Sequence, residues 1–420
     1  MADMALKPFG PRVLRRIACT DALQFYEGPV RSGKTQASIL SLLFYIATHD
    51  VTVGIMTGDT VGSVTRNVIK SKMGLIDLCP GAKGPIYRDN STQVIIPTDH
   101  GDVTIYIFGG GKANSDDQLR GVTADFWYAD EITKHHPTFV AEAMARLAAA
   151  DHPFMLWTTN PDNPRHWLYT KYTDKYLAMT DEEKSIFGGY HEFHFRLEDN
   201  PIMTPAKIEA LKLRYSGFEY DRKILGKRCI AEGLVYPYFD HTCIREPPED
   251  VKVRYASIDF GTVHPTAMGW YGRSPSTRAW FKVREWVATP EQSASMTTTD
   301  YLDVFERITA ELGGIPRMNL TIDYGGGGEA LAREAEKRKW MPVNPDKSVL
   351  DGISITGRLL KSHRLYISQE CPKTIESLQI YRWDDKASER GETKPIKQDD
   401  DPADETRYAC TTFIEPRVRA

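Results

Sequence analysis

"GPVRSGKT", residues 28–35, decides the fold of the first half of this chain. Gly28, four intervening residues (Pro29, Val30, Arg31, Ser32), then Gly33, Lys34 and Thr35 match G-x-x-x-x-G-K-[ST]. In that pattern backbone amides wrap phosphate oxygens, the lysine reaches the β- and γ-phosphates and the Thr hydroxyl ligates Mg²⁺. The flanks give the pattern its context. "ALQFYEG" before it reads as a short strand, and "QASILSLLFYIATH" after it, starting at Gln36, has the apolar spacing of a helix. A bound anion would then sit at a helix N-terminus. Residues 28–36 are expected to bind ATP with Mg²⁺.

A phosphate cradle needs a carboxylate pair on a neighbouring strand end before it can hydrolyse anything. "ADFWYADEIT" provides an apolar run, Phe126 to Ala129, that ends in Asp130 and Glu131. Asp130 is expected to hold Mg²⁺ through water, and Glu131 to polarise the attacking water. "FMLWTTNP", residues 154–161, is a further apolar strand whose end, Thr158, Thr159 and Asn160, is placed to sense the γ-phosphate. Two arginines are candidates for stabilising developing charge: Arg31 within the loop, acting in cis, and Arg120 in "DDQLRGVTAD", acting on a neighbouring subunit's ATP.

At 420 residues with 41% hydrophobic content the chain is long enough for two cores. The formal charge of −4 gives no bulk sign of a nucleic-acid partner, so any DNA-binding face must be local. Candidates are Arg66, Lys70 and Lys72 in "RNVIKSK", and Lys212, Arg214, Arg222, Lys223, Lys227 and Arg228 in "KLRYSGFEYDRKILGKR". Six scattered cysteines, with no C-x-x-C pair, argue against zinc and against a disulfide framework. The absence of a continuous apolar run predicts a soluble, untargeted chain with no membrane partner.

Prolines 237, 247 and 248 punctuate residues 233–252, which read as a linker between a first domain over 1–232, with a small helical lid near 165–232, and a second over 253–420. In the second, "YASIDFGTVHPTAMGWY" and "RAWFKVREWV" predict three successive strands, the first ending at Asp259. "LTIDYGGGGEALAREAEKRKW" puts Asp323 at another strand end, before four glycines that would let a phosphate approach closely. "DDDPADETRYACTTFI" opens a helix with Asp401, Asp404 and Glu405. Three carboxylate positions of this kind, in ribonuclease H-like order, suit a phosphodiesterase that uses two Mg²⁺ or Mn²⁺ ions about 4 Å apart. The charged segment 384–401 reads as a solvated hairpin or loop.

The loop arginine, "LRG" before the acidic strand, "TTNP" after it and "EGLVYPYF" at 232–239 together resemble the large terminase subunit of tailed bacteriophages. "SVLDGISITGRLLKSHRLYISQECPKTIESLQIYRWDDK", followed by a charged stretch and D-x-x-D-x-x-R-Y, is similar to the nuclease C-terminus of that family. The resemblance implies an α/β chain with a P-loop NTPase domain on a mostly parallel sheet, followed by a ribonuclease H-like nuclease domain. It implies ATP-driven movement of double-stranded DNA into a procapsid and metal-dependent cutting of concatemers. The implied partners are DNA, the portal, a small terminase subunit and further copies in a ring on the portal, with a monomer in solution, in the host bacterial cytoplasm. By the same match Asp259, Asp323 and Asp404 are the metal-binding carboxylates. Asp401 falls where many members carry His, and "DETRY" replaces "DALRY", so the third ligand stays open between Asp401 and Asp404. The alternative is a helicase or repair ATPase fused to a ribonuclease H-like resolvase, and residues 162–232 carry no helicase motif.

Overall fold

The computed structural model describes residues 9–88, 91–213, 215, 217–261, 264–313 and 318–416. The chain divides into two compact units, Met1–Ile230 with Arg390–Glu392, and Ala231–Glu389 with Thr393–Ala420.

The first unit is built on eight strands: β1 (Leu23–Glu27), β2 (Val53–Gly58), β3 (Lys83–Arg88), β4 (Ser91–Thr98), β5 (Gly101–Gly109), β6 (Phe126–Ala129), β7 (Phe154–Thr159) and β8 (Tyr190–His194). Their order across the sheet is β3-β4-β5-β2-β6-β7-β1-β8, and only β4 runs against its neighbours. β1, β6 and β7 are buried at every residue, which is why they read as unbroken apolar runs: a parallel strand covered on both faces has no polar side to show. One core cluster gathers Tyr26, Ile39, Leu42 and Phe126, and another gathers Phe25, Trp127, Phe139 and Trp157.

Two features differ from the sequence reading. β7 lies between β1 and β6, so the acidic strand is one strand removed from the loop strand rather than beside it. The segment near 165–232 is also not wholly helical, because β8 extends the main sheet along β1, with Leu23 opposite Tyr190. Its run "YHEFH" buries Tyr190 and Phe193 while carrying a Glu and two His, and so lacks an apolar signature.

The second unit has β9 (Lys252–Asp259), β10 (Ala267–Arg273), β11 (Trp280–Val287), β12 (Asn319–Ile322), β13 (Pro342–Val343) and β14 (Leu365–Ile367), in the order β13-β12-β9-β10-β11-β14. β9, β10 and β11 form an antiparallel meander, and β12 and β13 continue the sheet in parallel from β9. A meander of three strands extended in parallel on its first strand is the ribonuclease H-like arrangement. The helix Thr298–Glu311 turns Tyr301, Leu302, Phe305 and Ile308 into the core, where Trp270 Nε1 donates to Thr309 Oγ1 at 3.0 Å.

Beneath the helix Asp401–Ala409 lies a buried ion pair between Lys282 of β11 and Glu405, whose carboxylate also accepts from Tyr271 Oη at 3.0 Å. A side chain at Gly269 would stand 2.6 Å from the Glu405 carboxylate, so this glycine makes the room for it. Residues 233–252, expected as a linker, lie within this unit: Val235 N–H bonds Tyr381 O at 2.8 Å, and Tyr236, Phe239 and Cys243 are buried. The apolar residues between the prolines give the segment a surface to bury. The charged segment likewise holds a short helix, Asp385–Glu389, and a bridge from Trp383 to Pro395, with Ala387 and Ser388 buried.

Candidate active sites

The loop after β1 turns on backbone that favours glycine. Gly33 has φ 89° and caps the helix Lys34–Thr48, and Arg31 has φ 67°. At Gly28 an added Cβ would lie 2.6 Å from Phe195 O, so only glycine lets the chain pass there. Lys34 Nζ donates to Gly28 O at 2.7 Å, to Pro29 O at 2.9 Å and to Asn160 Oδ1 at 3.0 Å. Burial pulls its ammonium down to about 8 against the opposing pull of Asp130 and Glu131. Ser32 Oγ is buried with no partner among the described residues, a hydroxyl of the kind an anion in the loop would satisfy. Pro29 is buried, Thr35 and Gln36 are half-buried in the first helical turn, and Val30 and Arg31 face solvent.

β6 and β7 carry the other expected residues to the same end of the sheet. Asp130 is pushed up to about 6, by burial and then by Glu131. Its Oδ1 accepts from Thr158 Oγ1 at 2.9 Å, while the Glu131 N–H donates to that same hydroxyl at 3.3 Å. Thr159 Oγ1 lies 2.8 Å from Thr133 Oγ1. Glu131, at φ 52°, pairs with Lys134 at 2.5 Å and accepts from Asn160 Nδ2 at 3.4 Å. Asn160 therefore holds Lys34 with one end of its amide and Glu131 with the other. Thr158 instead spends its hydroxyl on orienting Asp130. Arg120 is elsewhere: it pairs with Asp117 at 2.9 Å and lines a cavity of about 500 Å³ with Tyr106, Phe108 and Gln118.

In the second unit the strand pairing makes a site. Ile322 of β12 is opposite Ile258 of β9, and the Asp323 N–H donates to Ile258 O at 3.1 Å, so Asp323 emerges beside Asp259. The helix Asp401–Ala409 packs on β9 and brings Asp401 and Asp404 to the same cavity of about 530 Å³. Burial, then Asp404, Asp401 and Asp323, push the Asp259 carboxyl up to about 8. Burial and Asp400 raise Asp401 to about 6. For Asp404 burial alone would do the same, but Arg407 and Lys397 hold it below the usual range. Tyr381 Oη also donates to it at 3.2 Å. Asp323 accepts from Tyr408 Oη at 3.1 Å and from the Gly325 N–H at 2.7 Å, and pairs with Lys347.

Asp259, by contrast, meets no hydrogen-bond donor among the described residues. Five aspartates in one cavity, with Asp259 raised by burial and then by Asp404, Asp401 and Asp323, are the oxygen donor set that a hard divalent cation takes. Among the described residues no three of these groups already form a ligand shell; Lys347 pairs with Asp323, and Lys397 with Asp400 and Asp404. The glycine run supports the turn above Asp323. Gly326 and Gly327 have φ 57° and 98°, and an added Cβ at Gly328 would fall 1.7 Å from Asp323 O.

Residues 25–242 match the model of a family described as terminase large subunit, T4-like virus type, N-terminal. The chain belongs to the large terminase subunit family. The terminase is also similar over its length to the large terminase of a thermophilic bacteriophage. One crystal form of that relative is 26% identical, covers 97% of this chain and 100% of its own, and has a TM-score of 0.84. Its complexes with ADP and with ATP-gamma-S, each 25% identical over 97% of this chain and 100% of their own, give 0.83 and 0.82. No curated protein matches the sequence. Among the described residues of the terminase, no helix is long and apolar enough to cross a membrane.

Sequence reasoning missed several residues of both sites. His264, Lys397, Asp400 and Tyr408 line the cavity of the second unit. In the first unit Glu27, fully buried directly before Gly28, accepts from Tyr169 Oη at 2.6 Å and from Arg228 Nε at 2.9 Å, and lies 3.2 Å from His194 Nδ1. Arg228 is thereby consumed by Glu27 and Glu192, and the buried Arg222 by Asp162 and Cys229 O, so neither offers a DNA-facing cation in this structure. Arg214 lies outside the described residues. Arg66, Lys70 and Lys72 are all exposed along the surface after β2.

Proposed function

We propose that this terminase moves double-stranded DNA into a procapsid with energy from ATP and cuts concatemeric DNA at a separate metal-dependent nuclease site. The observation that carries the nuclease half is Asp259, half-buried among Asp323, Asp401 and Asp404 with no direct ion pair of its own among the described residues. The motor half rests on the loop Gly28–Thr35 with Asp130 and Glu131 joined to it through Asn160, and on the nucleotides bound by the thermophilic phage relative.

In this reading residues 28–36 hold the phosphates, Thr35 and Asp130 hold Mg²⁺, and Glu131 orients and deprotonates the attacking water. Asn160, already bonded to Lys34 and Glu131, aligns the two on the γ-phosphate, with Thr158 and Thr159 fixing the strand end beneath it. Arg31 in cis, or Arg120 from a neighbouring copy, neutralises the charge that builds on the phosphoryl group. In the second unit Asp259, Asp323, Asp404 and Asp401 hold two Mg²⁺ or Mn²⁺ ions, which supply an activated water and a counter-charge for the leaving oxygen. The glycine turn at 325–328 lets a DNA phosphate approach Asp323. The chain is a monomer in solution and forms a ring on the portal, with a small terminase subunit as a further partner, in the host bacterial cytoplasm.

Procapsids bearing portals, mixed with this chain, ATP and linear duplex, test the motor half. DNA should become resistant to added nuclease with wild type and stay sensitive with Glu131→Ala. Protection that does not depend on ATP would contradict the reading.

A further inference from the structure

We propose that Lys347 and Lys397 are built-in counter-cations of the nuclease site, which divalent metal must displace in order to bind. The inference rests on the metal-nuclease reading above and goes beyond it by naming what the metal competes with.

Five carboxylates line this cavity, and three of them already carry an ammonium. Lys347 pairs with Asp323. Lys397 pairs with Asp404 at 2.7 Å and with Asp400 at 2.8 Å. Both lysines come from irregular chain outside the sheet and the Asp401–Ala409 helix. Their side chains are 42% and 62% exposed, so each can swing into water without moving the backbone. Local geometry admits the first of them: an added Cβ at Gly325 would stand 3.1 Å from Lys347 Nζ and 3.2 Å from Asp323 Oδ1, tighter than side chains ordinarily pack. Glycine at 325 thus keeps the approach to Asp323 open.

An ammonium in contact with a carboxylate oxygen occupies the direction from which a cation would bind, and two cations so close on one carboxylate repel. The pairs therefore lower the cost of holding these aspartates together and set a threshold for metal entry. Arg407 also meets Asp404, at 2.9 Å, but it is buried and cannot leave, so it orients the carboxylate rather than competing for it.

Mn²⁺ titration of the full chain, followed by electron paramagnetic resonance, tests this directly. The ions counted are those lost in Asp259→Asn. Lys397→Met and Lys347→Met should each tighten these ions by about tenfold, the weight of roughly one pK unit of ion-pair competition, and the double variant by more. Lys373→Met, which removes an exposed lysine paired with Glu376, should leave them unchanged. Unchanged or weaker Mn²⁺ binding in both lysine variants would overturn the proposal while leaving the metal site intact. Equal Mn²⁺ binding by Asp259→Asn and wild type would instead overturn the metal reading itself, and the proposal with it.

Discussion

Asn160 Oδ1 accepts a hydrogen bond from Lys34 Nζ at 3.0 Å, joining residues 126 positions apart. Its Nδ2 reaches Glu131 Oε1 at 3.4 Å, so one amide sets the spacing between the phosphate lysine and the carboxylate expected to handle water. Asn160→Ala should lower kcat for ATP hydrolysis by about tenfold to hundredfold with a smaller change in KM, the pattern of a contact that matters most in the transition state. Steady-state kinetics on the purified chain decide it. A rise in KM alone would mean that Asn160 serves only binding.

The two sites lie in different units. Glu131→Ala should reduce ATP turnover by at least about hundredfold and leave DNA cleavage at wild-type level, and Asp259→Ala should do the reverse. Parallel ATPase and cleavage assays check this, and loss of both activities in either variant would contradict the two-site account.

Lys282 and Glu405 form a pair shielded from water, and Glu405 directly follows Asp404 in the chain. Lys282→Met strands a buried carboxylate and should destabilise the protein by about 3–5 kcal/mol. Adding Glu405→Leu should recover most of that loss, because no unpaired charge is then left in the buried site. Urea unfolding of the three proteins measures it, and a double variant no more stable than Lys282→Met would refute the pairing argument.

His194 is raised to about 9 by its contacts with Glu192 and then Glu27. Its proton contributes stability that is fully present below the unfolded value of about 6.5 and is lost as pH rises through about 9. His194→Gln should therefore lower the thermal midpoint more at a pH of about 6 than at a pH of about 10. An equal drop at both would show that the imidazole contributes packing rather than charge.

The nucleotide loop was legible because binding phosphate with backbone amides requires Gly28, Gly33, Lys34 and Thr35 at fixed offsets. The catalytic strands were legible because buried parallel strands are apolar throughout. The same physics hid the rest. Sheet order is set by tertiary packing, so nothing in the sequence near Phe154 announced that β7 would come between β1 and β6. β8 buries only Tyr190 and Phe193 in a run of polar neighbours, and so passed for part of a helical region. Lys347 and Lys397 come from irregular segments and reach their carboxylates through long flexible stems, which leave no periodic trace. Glu27 was passed over because a lone acid at a strand end says nothing until Arg228, 201 positions later, meets it.

The most direct measurement is cleavage of supercoiled plasmid by the purified full chain in Mn²⁺, Mg²⁺ or EDTA, with Asp323→Ala beside wild type. The account predicts cutting with either metal, none with EDTA, and none by the variant, whose ATP hydrolysis stays intact. Cutting that persists in Asp323→Ala, or none in any metal, would contradict a nuclease built on Asp259, Asp323, Asp401 and Asp404.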